Sequence, residues 1–450
     1  MKRLKRVACV VLAIAVSLAM LTGCSGSGSS LAASGSGSGS AGSAIRTSGG
    51  AAKAGDNGSS DGGYDLVFWV YSDAVLNDQG KLFKQWADDF CAENDDVNSI
   101  TFVGKDDADL LTSLMAGVGL PDMFFASARD CMKYEQAIDL LDLSTIYDND
   151  TKGSFYANTM DAVTANDGMW AVPFMSYVPI IFRNLDVMKA AGIDASEQLD
   201  DWDTFFNECQ KVKDAGYDAT TSWATGGYYA PGAVLACDAE NLTVGVKDGK
   251  TTVDPSQCER TFETIQKLET YSNGMSYSDD AAAEAFKTNK LAFLLAGPWN
   301  EPDYVQAGVN YDIQLVPPYE KGGWTGGLQG WDFMYGVNTG DPGRNDAIVR
   351  WLQKMASYDV QKTFAQVIGR SVLREDVMND PDVMQTNMLK VLSTGLNNGM
   401  MQMEFGHSNV FWASAIGDVA PSVATGKITS ADGAKAFVDS VNGLYAEAGE

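Results

Sequence analysis

The sequence predicts an α/β fold in two lobes, and three observations carry that prediction. Apolar runs of strand length alternate with amphipathic helical stretches from Tyr64 onward, the pattern of strands covered by helices. The chain from Tyr64 to Glu450 is 387 residues, long enough for two separate cores. The segment before Tyr64 has the composition of a leader and a tether, so folding begins there.

Lys2, Arg3, Lys5 and Arg6 form a basic start, and Val7 to Met20 is apolar apart from Ser17. Leu21-Thr22-Gly23-Cys24 follows. That is the three-part pattern of an export signal. The apolar run is short for a membrane span, because crossing about 30 Å of hydrocarbon takes roughly 20 residues. The Leu-x-Gly-Cys ending resembles a bacterial lipobox, which implies a signal peptide over 1–23 and a diacylglyceryl group on Cys24. A plain secretory signal, with Cys24 incidental, is the alternative. Residues 25–63 are dominated by Ser, Gly, Ala and Asp and contain no aromatic residue. Such a segment cannot bury enough apolar surface to fold. As a coil it reaches on the order of 35 Å, so 24–63 reads as a lipidated Cys and its tether.

Tyr64 to Tyr71 is an apolar run of the kind buried on both faces of a parallel sheet, ended by Ser72-Asp73. Leu82, Phe83, Trp86 and Phe90 share one face of the helix expected next. Ile100 to Val103 reads as a strand, Leu110 to Gly117 as a short helix, and Leu120 to Ala126 as a third strand. Ala171-Val172-Pro173 and Pro179 to Phe182 bracket a stretch that passes between lobes. Asp201 to Phe206 starts a helix with early acids, and Leu291 to Leu295 is a strand running into Gly297-Pro298-Trp299. Asp332 to Val337 is a further strand, Ala347 to Tyr358 an amphipathic helix, and Val410 to Tyr445 helical in pattern.

Charge and composition exclude several functions. The chain has 32 basic and 59 acidic residues, a formal charge of −27, and losing the four basic residues of the signal leaves −31. A surface this acidic argues against nucleic acid and anionic lipid headgroups as partners. His407 is the only histidine, which removes two-His metal sites and most His-dependent acid–base schemes. No Gly-x-x-x-x-Gly-Lys-Ser/Thr occurs, and no Gly-x-Gly-x-x-Gly follows a strand. Asp148 to Gly153 begins like a calcium loop, but Lys152 replaces an oxygen ligand and Thr159 stands where a closing Glu is needed. No metal and no cofactor are expected. After Cys9 and Cys24, five cysteines remain (Cys91, Cys131, Cys209, Cys237 and Cys258), an odd number whose pairing the sequence cannot fix.

The positive signal is aromatic. Of ten Trp, Trp69, Trp86 and Trp351 fall on core faces, Trp202 on a helix start and Trp170 in a turn. Trp223, Trp299, Trp324, Trp331 and Trp412 instead stand beside Gly, Pro or a helix start. Strand ends of open α/β sheets are where ligands bind. An indole face there suits the C–H face of a sugar ring, with inter-lobe packing as the competing use.

With these residues in view, the chain resembles the extracellular solute-binding proteins of ATP-driven carbohydrate importers, of the maltose-binding-protein type. The likeness runs from about Leu66 to Leu444. Its markers are Leu120-Pro121-Asp122, Val172-Pro173 to Arg183-Asn184-Leu185-Asp186, and Ala190-Ala191-Gly192-Ile193. Ala285-Phe286-Lys287 through Gly297-Pro298-Trp299, Gly330-Trp331, and Phe411-Trp412 to Thr425-Gly426-Lys427 complete them. The resemblance implies a type II periplasmic-binding-protein-like fold with a ligand cleft between lobes. Lobe one would be 64–175 with 331–375, and lobe two 179–328 with 378–450. It also implies site residues. Asp73 matches an acid that bonds sugar hydroxyls, Arg129 and Asp130 a charged pair beyond the third strand, and Tyr177 a crossing-segment position. Tyr229 and Trp299 match stacking rings, and Trp412 the Trp opening the late helix. Trp223 and Trp331 have no exact match to the maltose binder, but related members carry aromatics in these regions; Asp332, beside Trp331, is a further candidate contact. Ala74, Ala126 and Tyr177 depart from the maltose binder, which weighs against a maltodextrin but not against an oligosaccharide.

The expectation is therefore a monomeric, lipid-anchored binder on the extracellular face of the bacterial membrane. It would pass a sugar or oligosaccharide to an ABC permease without covalent chemistry. A peptide or polyol binder is the alternative within the class, and an extracellular glycan hydrolase the alternative outside it.

Overall fold

The computed structural model describes residues 62–450 except 129–133, 136, 166, 177, 243–244, 326–329, 400–404 and 449–450. Of residues 73, 107–108, 165, 397–399, 405–410 and 448 it describes the backbone alone. The export signal, Cys24 and the tether lie outside the described residues, as do Arg129, Asp130, Cys131 and Tyr177.

The architecture is two lobes, each a sheet flanked by helices. The first sheet has the order β2-β1-β3-β14-β6. β1 (Tyr64–Tyr71) pairs in parallel with β2 (Val97–Lys105) and β3 (Met123–Ser127). β14 (Trp331–Gly336) returns from far along the chain and runs antiparallel between β3 and β6 (Val172–Ser176). Between β3 and β6 the short pair β4 (Thr164–Ala165) and β5 (Gly168–Met169) forms a separate hairpin. β1 is not buried equally on both faces. Leu66, Phe68 and Val70 are fully buried, while Val67, Trp69 and Tyr71 on the other face are half-buried.

The helix Asn77–Glu93 covers this sheet with Leu82, Phe83, Trp86 and Phe90, the expected stripe, and with Gln79, which is buried among them. Leu120-Pro121-Asp122 has a structural reason. Asp122 accepts the Val67 amide at 2.7 Å and is gripped by Arg344 through Nε at 2.5 Å and a terminal nitrogen at 2.7 Å. That carboxylate ties the strand ends to the helix Pro342–Ala356, whose start is capped by Asp341.

In the second lobe β7 (Ile180–Asn184) lies antiparallel between β12 (Phe293–Ala296) and β13 (Tyr311–Leu315). β8 (Thr220–Ser222) pairs in parallel with β11 (Ser272–Ser276), and a parallel bridge from Asp218 to Leu291 joins this pair to β12. A two-residue hairpin, β9 (Val246–Lys247) and β10 (Lys250–Thr251), stands apart. Period-two alternation splits the apolar core along β7. Ile180 and Phe182 join the cluster that continues from the first sheet, and Ile181 joins the cluster under the late helices.

Arg183, fully buried, donates to the Glu197 carbonyl at 2.6 Å, to the Ala195 carbonyl at 2.9 Å and to Asp312 at 2.9 Å. Asn184 caps the next helix by accepting the Val187 amide. The C-terminal helical stretch is two helices, Phe405–Ala424 and Ser430–Ala448. Asp148 is a helix cap accepting the Thr151 amide at 2.7 Å. Among the described residues no group of three or more His, Cys, Asp or Glu side chains could hold a metal ion, and no helix is long and apolar enough to cross a membrane.

Candidate functional site

The topology brings the carboxyl ends of parallel strands from both lobes to one cavity of about 640 Å³. From the first sheet, Tyr71 and Ser72 end β1, Lys105 and Asp106 end β2, and Ser127 ends β3. Asp332 opens the antiparallel strand opposite Ser127, and Met175 lies one residue from the end of β6. Gln79, Phe125 and Arg370 complete this wall. From the second lobe, Tyr228 and Tyr229 follow β8, Tyr277 and Ser278 follow β11, and Trp299 follows β12.

The two walls differ in chemistry. Among the described lining residues, the charged ones (Lys105, Asp106, Asp332 and Arg370) all stand on the first-lobe side, and the facing wall is three tyrosines, a serine and a tryptophan. Tyr71 donates to Asp332 at 3.3 Å, and Ser72 donates to Asp106 at 2.8 Å. Lys105 donates to Ser113 at 3.1 Å and sits 4.2 Å over the Trp69 ring, a cation–π contact that fixes the ammonium at the sheet end. Arg370 donates to the Gln79 side-chain oxygen at 3.4 Å.

On the aromatic wall the Tyr229 ring lies 6.0 Å from Tyr277 and 5.9 Å from Trp299. Burial pushes the Tyr229 and Tyr277 phenols above their ordinary range, so both stay protonated. Tyr277 donates to the Gly226 carbonyl at 2.9 Å. Gly226 and Gly227, at φ +87° and +97°, turn the chain sharply enough to present Tyr228 and Tyr229. A Cβ added to Gly417 of the late helix would lie 3.5 Å from the Gly227–Tyr228 backbone, so that helix packs close behind the turn.

Trp299 is 42% exposed in the open cavity. Its ring folds back over its own turn, occupying the place where a Cβ on Gly297 would lie.

Of the residues singled out from sequence, Tyr229, Trp299 and Asp332 line the cavity. Asp73 lies in the turn after β1, next to Ser72, and its side chain is among those not described. Trp223, Trp331 and Trp412 are core residues outside the described lining. Trp223 packs at 5.6 Å on Trp202 and donates to Thr220. Trp331 stacks on Phe333, and Trp412 meets Phe437 edge-on at 5.2 Å. Their neighbours in sequence suggested strand and helix ends, but which face a ring takes is decided by tertiary packing. Sequence reasoning missed Gln79, Lys105, Tyr71, Tyr228, Tyr277 and Arg370. Gln79 carried a signal: it is a polar residue on the same helical face as Leu82, Phe83 and Trp86.

A profile of bacterial extracellular solute-binding proteins matches residues 85–390. Among curated relatives, an sn-glycerol-3-phosphate-binding periplasmic protein of Agrobacterium fabrum is 24% identical over 228 residues, covering 48% of this chain and 52% of its own length. An uncharacterized ABC transporter extracellular-binding protein of Pyrococcus horikoshii is 25% identical over 300 residues, covering 63% of this chain and 66% of its own. The chain thus spans between half and two thirds of the length of these relatives. A solved structure, the cyclic alpha-maltosyl-1,6-maltose binding protein from Arthrobacter globiformis, superposes with a TM-score of 0.73 at 14% identity. That superposition covers 86% of this chain and all of that one, and shows a shared fold.

Proposed function

We propose, since the chain belongs to the bacterial extracellular solute-binding proteins, that it captures a sugar or oligosaccharide between its lobes and delivers it to an ABC permease. One observation carries this reading: a cavity whose one wall is aromatic and uncharged and whose other wall is hydroxyl, amide and balanced charge. Aromatic faces take up the C–H faces of a pyranose, and the opposite wall bonds its hydroxyls. Two cations against two carboxylates among the described lining residues favour a neutral ligand. Relatives named for a maltosyl sugar and for glycerol phosphate support a polyhydroxylated ligand and keep a polyol as the second reading.

Asp73, Arg129, Asp130 and Tyr177 belong to this proposal as further ligand contacts, because Ser72, Ser127 and Met175, close to them in the chain, line the cavity. Lobe one would comprise 64–175 and 331–375, and lobe two 179–328 and 378–450. Lipidation at Cys24, with 24–63 as tether, would hold a monomer on the outer face of the cell membrane. The mechanism is closure: a ligand that touches both walls binds the shut form better, so it shifts the hinge equilibrium without chemistry.

The test is a thermal-shift screen against neutral oligosaccharides, free polyols and glycerol phosphate. A ligand at 100 times its dissociation constant adds about 2.7 kcal/mol of stability. A neutral glycan that stabilises the protein and is recovered intact supports the reading. A glycan that is cleaved would replace it with the hydrolase, and a shift with glycerol phosphate alone would replace it with the polyol.

A further inference from the structure

We infer that Gln79 is a ligand-binding residue: its side-chain amide is a donor held in reserve for an acceptor oxygen on the ligand. The inference rests on the proposed cleft, and no motif of the sequence pointed to it. Gln79 lines the cavity from the first turn of the helix Asn77–Glu93 and is only 5% exposed. Its neighbours on that helical face, Leu82, Phe83 and Trp86, are apolar core, so a glutamine there has to justify its desolvation.

Half of the amide is accounted for. The Arg370 guanidinium donates to the Gln79 oxygen at 3.4 Å. Arginine has no acceptor, so this contact fixes which end of the amide faces it. The oxygen is turned to Arg370 and the Nε2 group is turned away. Nε2 is buried and has no hydrogen-bond partner among the described residues.

A buried donor without a partner destabilises the protein that carries it. In a ligand cleft the missing partner can come from the ligand. A hydroxyl or ring oxygen of a sugar placed beside Met175 and Arg370 would accept from Nε2, and a phosphate oxygen would do the same. Discrimination follows from the same physics, because a ligand lacking an oxygen there leaves the donor unpaired.

Gln79→Glu separates the two halves of the amide. It keeps an acceptor toward Arg370 and removes the donor. The variant then turns an acceptor toward the ligand where the wild type turns a donor. Its affinity for the ligand should fall by roughly tenfold. Gln79→Met, which removes donor and acceptor together without adding charge, should lose affinity similarly and, ligand-free, melt above the wild type by about 1–3 °C.

The affinity probes are maltotriose and arabinotriose for the neutral oxygen and glycerol 3-phosphate for the phosphate oxygen. Whichever stabilises the wild type should stabilise both variants less. A ligand-free Gln79→Met protein that melts at or below the wild type would show the amide to be satisfied without ligand, and the proposal would fail. Unchanged affinity in both variants would also overturn it. Absence of any wild-type shift with all three probes would count against the sugar-binding reading, and the ligand-free melting comparison would still decide the state of Gln79.

Discussion

Among the rings near the cavity, exposure separates those that can meet a ligand from those that hold the lobes together. Trp299 offers an indole face to the cavity. Replacing such a platform by Ala removes apolar contact and water exclusion together, at a cost on the order of 2 kcal/mol or more. Trp299→Ala should therefore weaken ligand binding by roughly thirtyfold or more, measured by calorimetry. Gly297 should matter through the same ring. At φ −101° and ψ 165° its backbone accepts an alanine, and the nearest obstruction a Cβ meets is the Trp299 indole. Gly297→Ala should lower affinity by displacing that ring and should add little in the Trp299→Ala background, as coupled sites do. Trp412→Ala should behave differently. It empties core volume against Phe437, at about 3–5 kcal/mol of stability. The folded fraction should keep its affinity, because the ring does not line the cavity.

At the scale of single elements, the helix Trp202–Asp214 carries an internal conflict. Glu208 is 1% exposed, and neither carboxylate oxygen has a partner among the described residues. Burial raises its pKa from 4.5 to about 7, with Glu197 adding to the rise and Arg183 and Lys211 opposing it. The folded state then holds a proton that the unfolded chain releases, so stability is fully present below about pH 4.5 and is lost as pH rises toward about 7. The loss is on the order of 3 kcal/mol. Glu208→Gln should flatten that slope and melt higher than the wild type at pH 8, which denaturation at pH 5 and pH 8 will check. Elements of this kind were legible in sequence where one face dominates. Asp201 and the acids after it announced this helix, and the Asn77–Glu93 stripe appeared as expected. The run Tyr64–Tyr71 did not reveal that one of its faces is half-buried, because an apolar residue reads the same under full or partial cover. The cavity wall was less legible. Tyr228, Tyr277 and Arg370 come from three separated turns that only the folded topology brings together.

For the whole molecule, function follows from facing two sheets end to end. Carboxyl ends of β1, β2 and β3 meet those of β8, β11 and β12 across one cavity, with charge confined to one wall. In the proposed mechanism a ligand gains its full contact only when both walls reach it, which makes binding and closure one equilibrium. Among the described lining residues, tyrosines held protonated and carboxylates that already accept hydrogen bonds suit recognition. Small-angle scattering across a glycan titration tests this most directly. The account predicts a radius of gyration that falls saturably with the calorimetric binding curve, with the glycan recovered intact. Tight binding with an unchanged radius of gyration would contradict it.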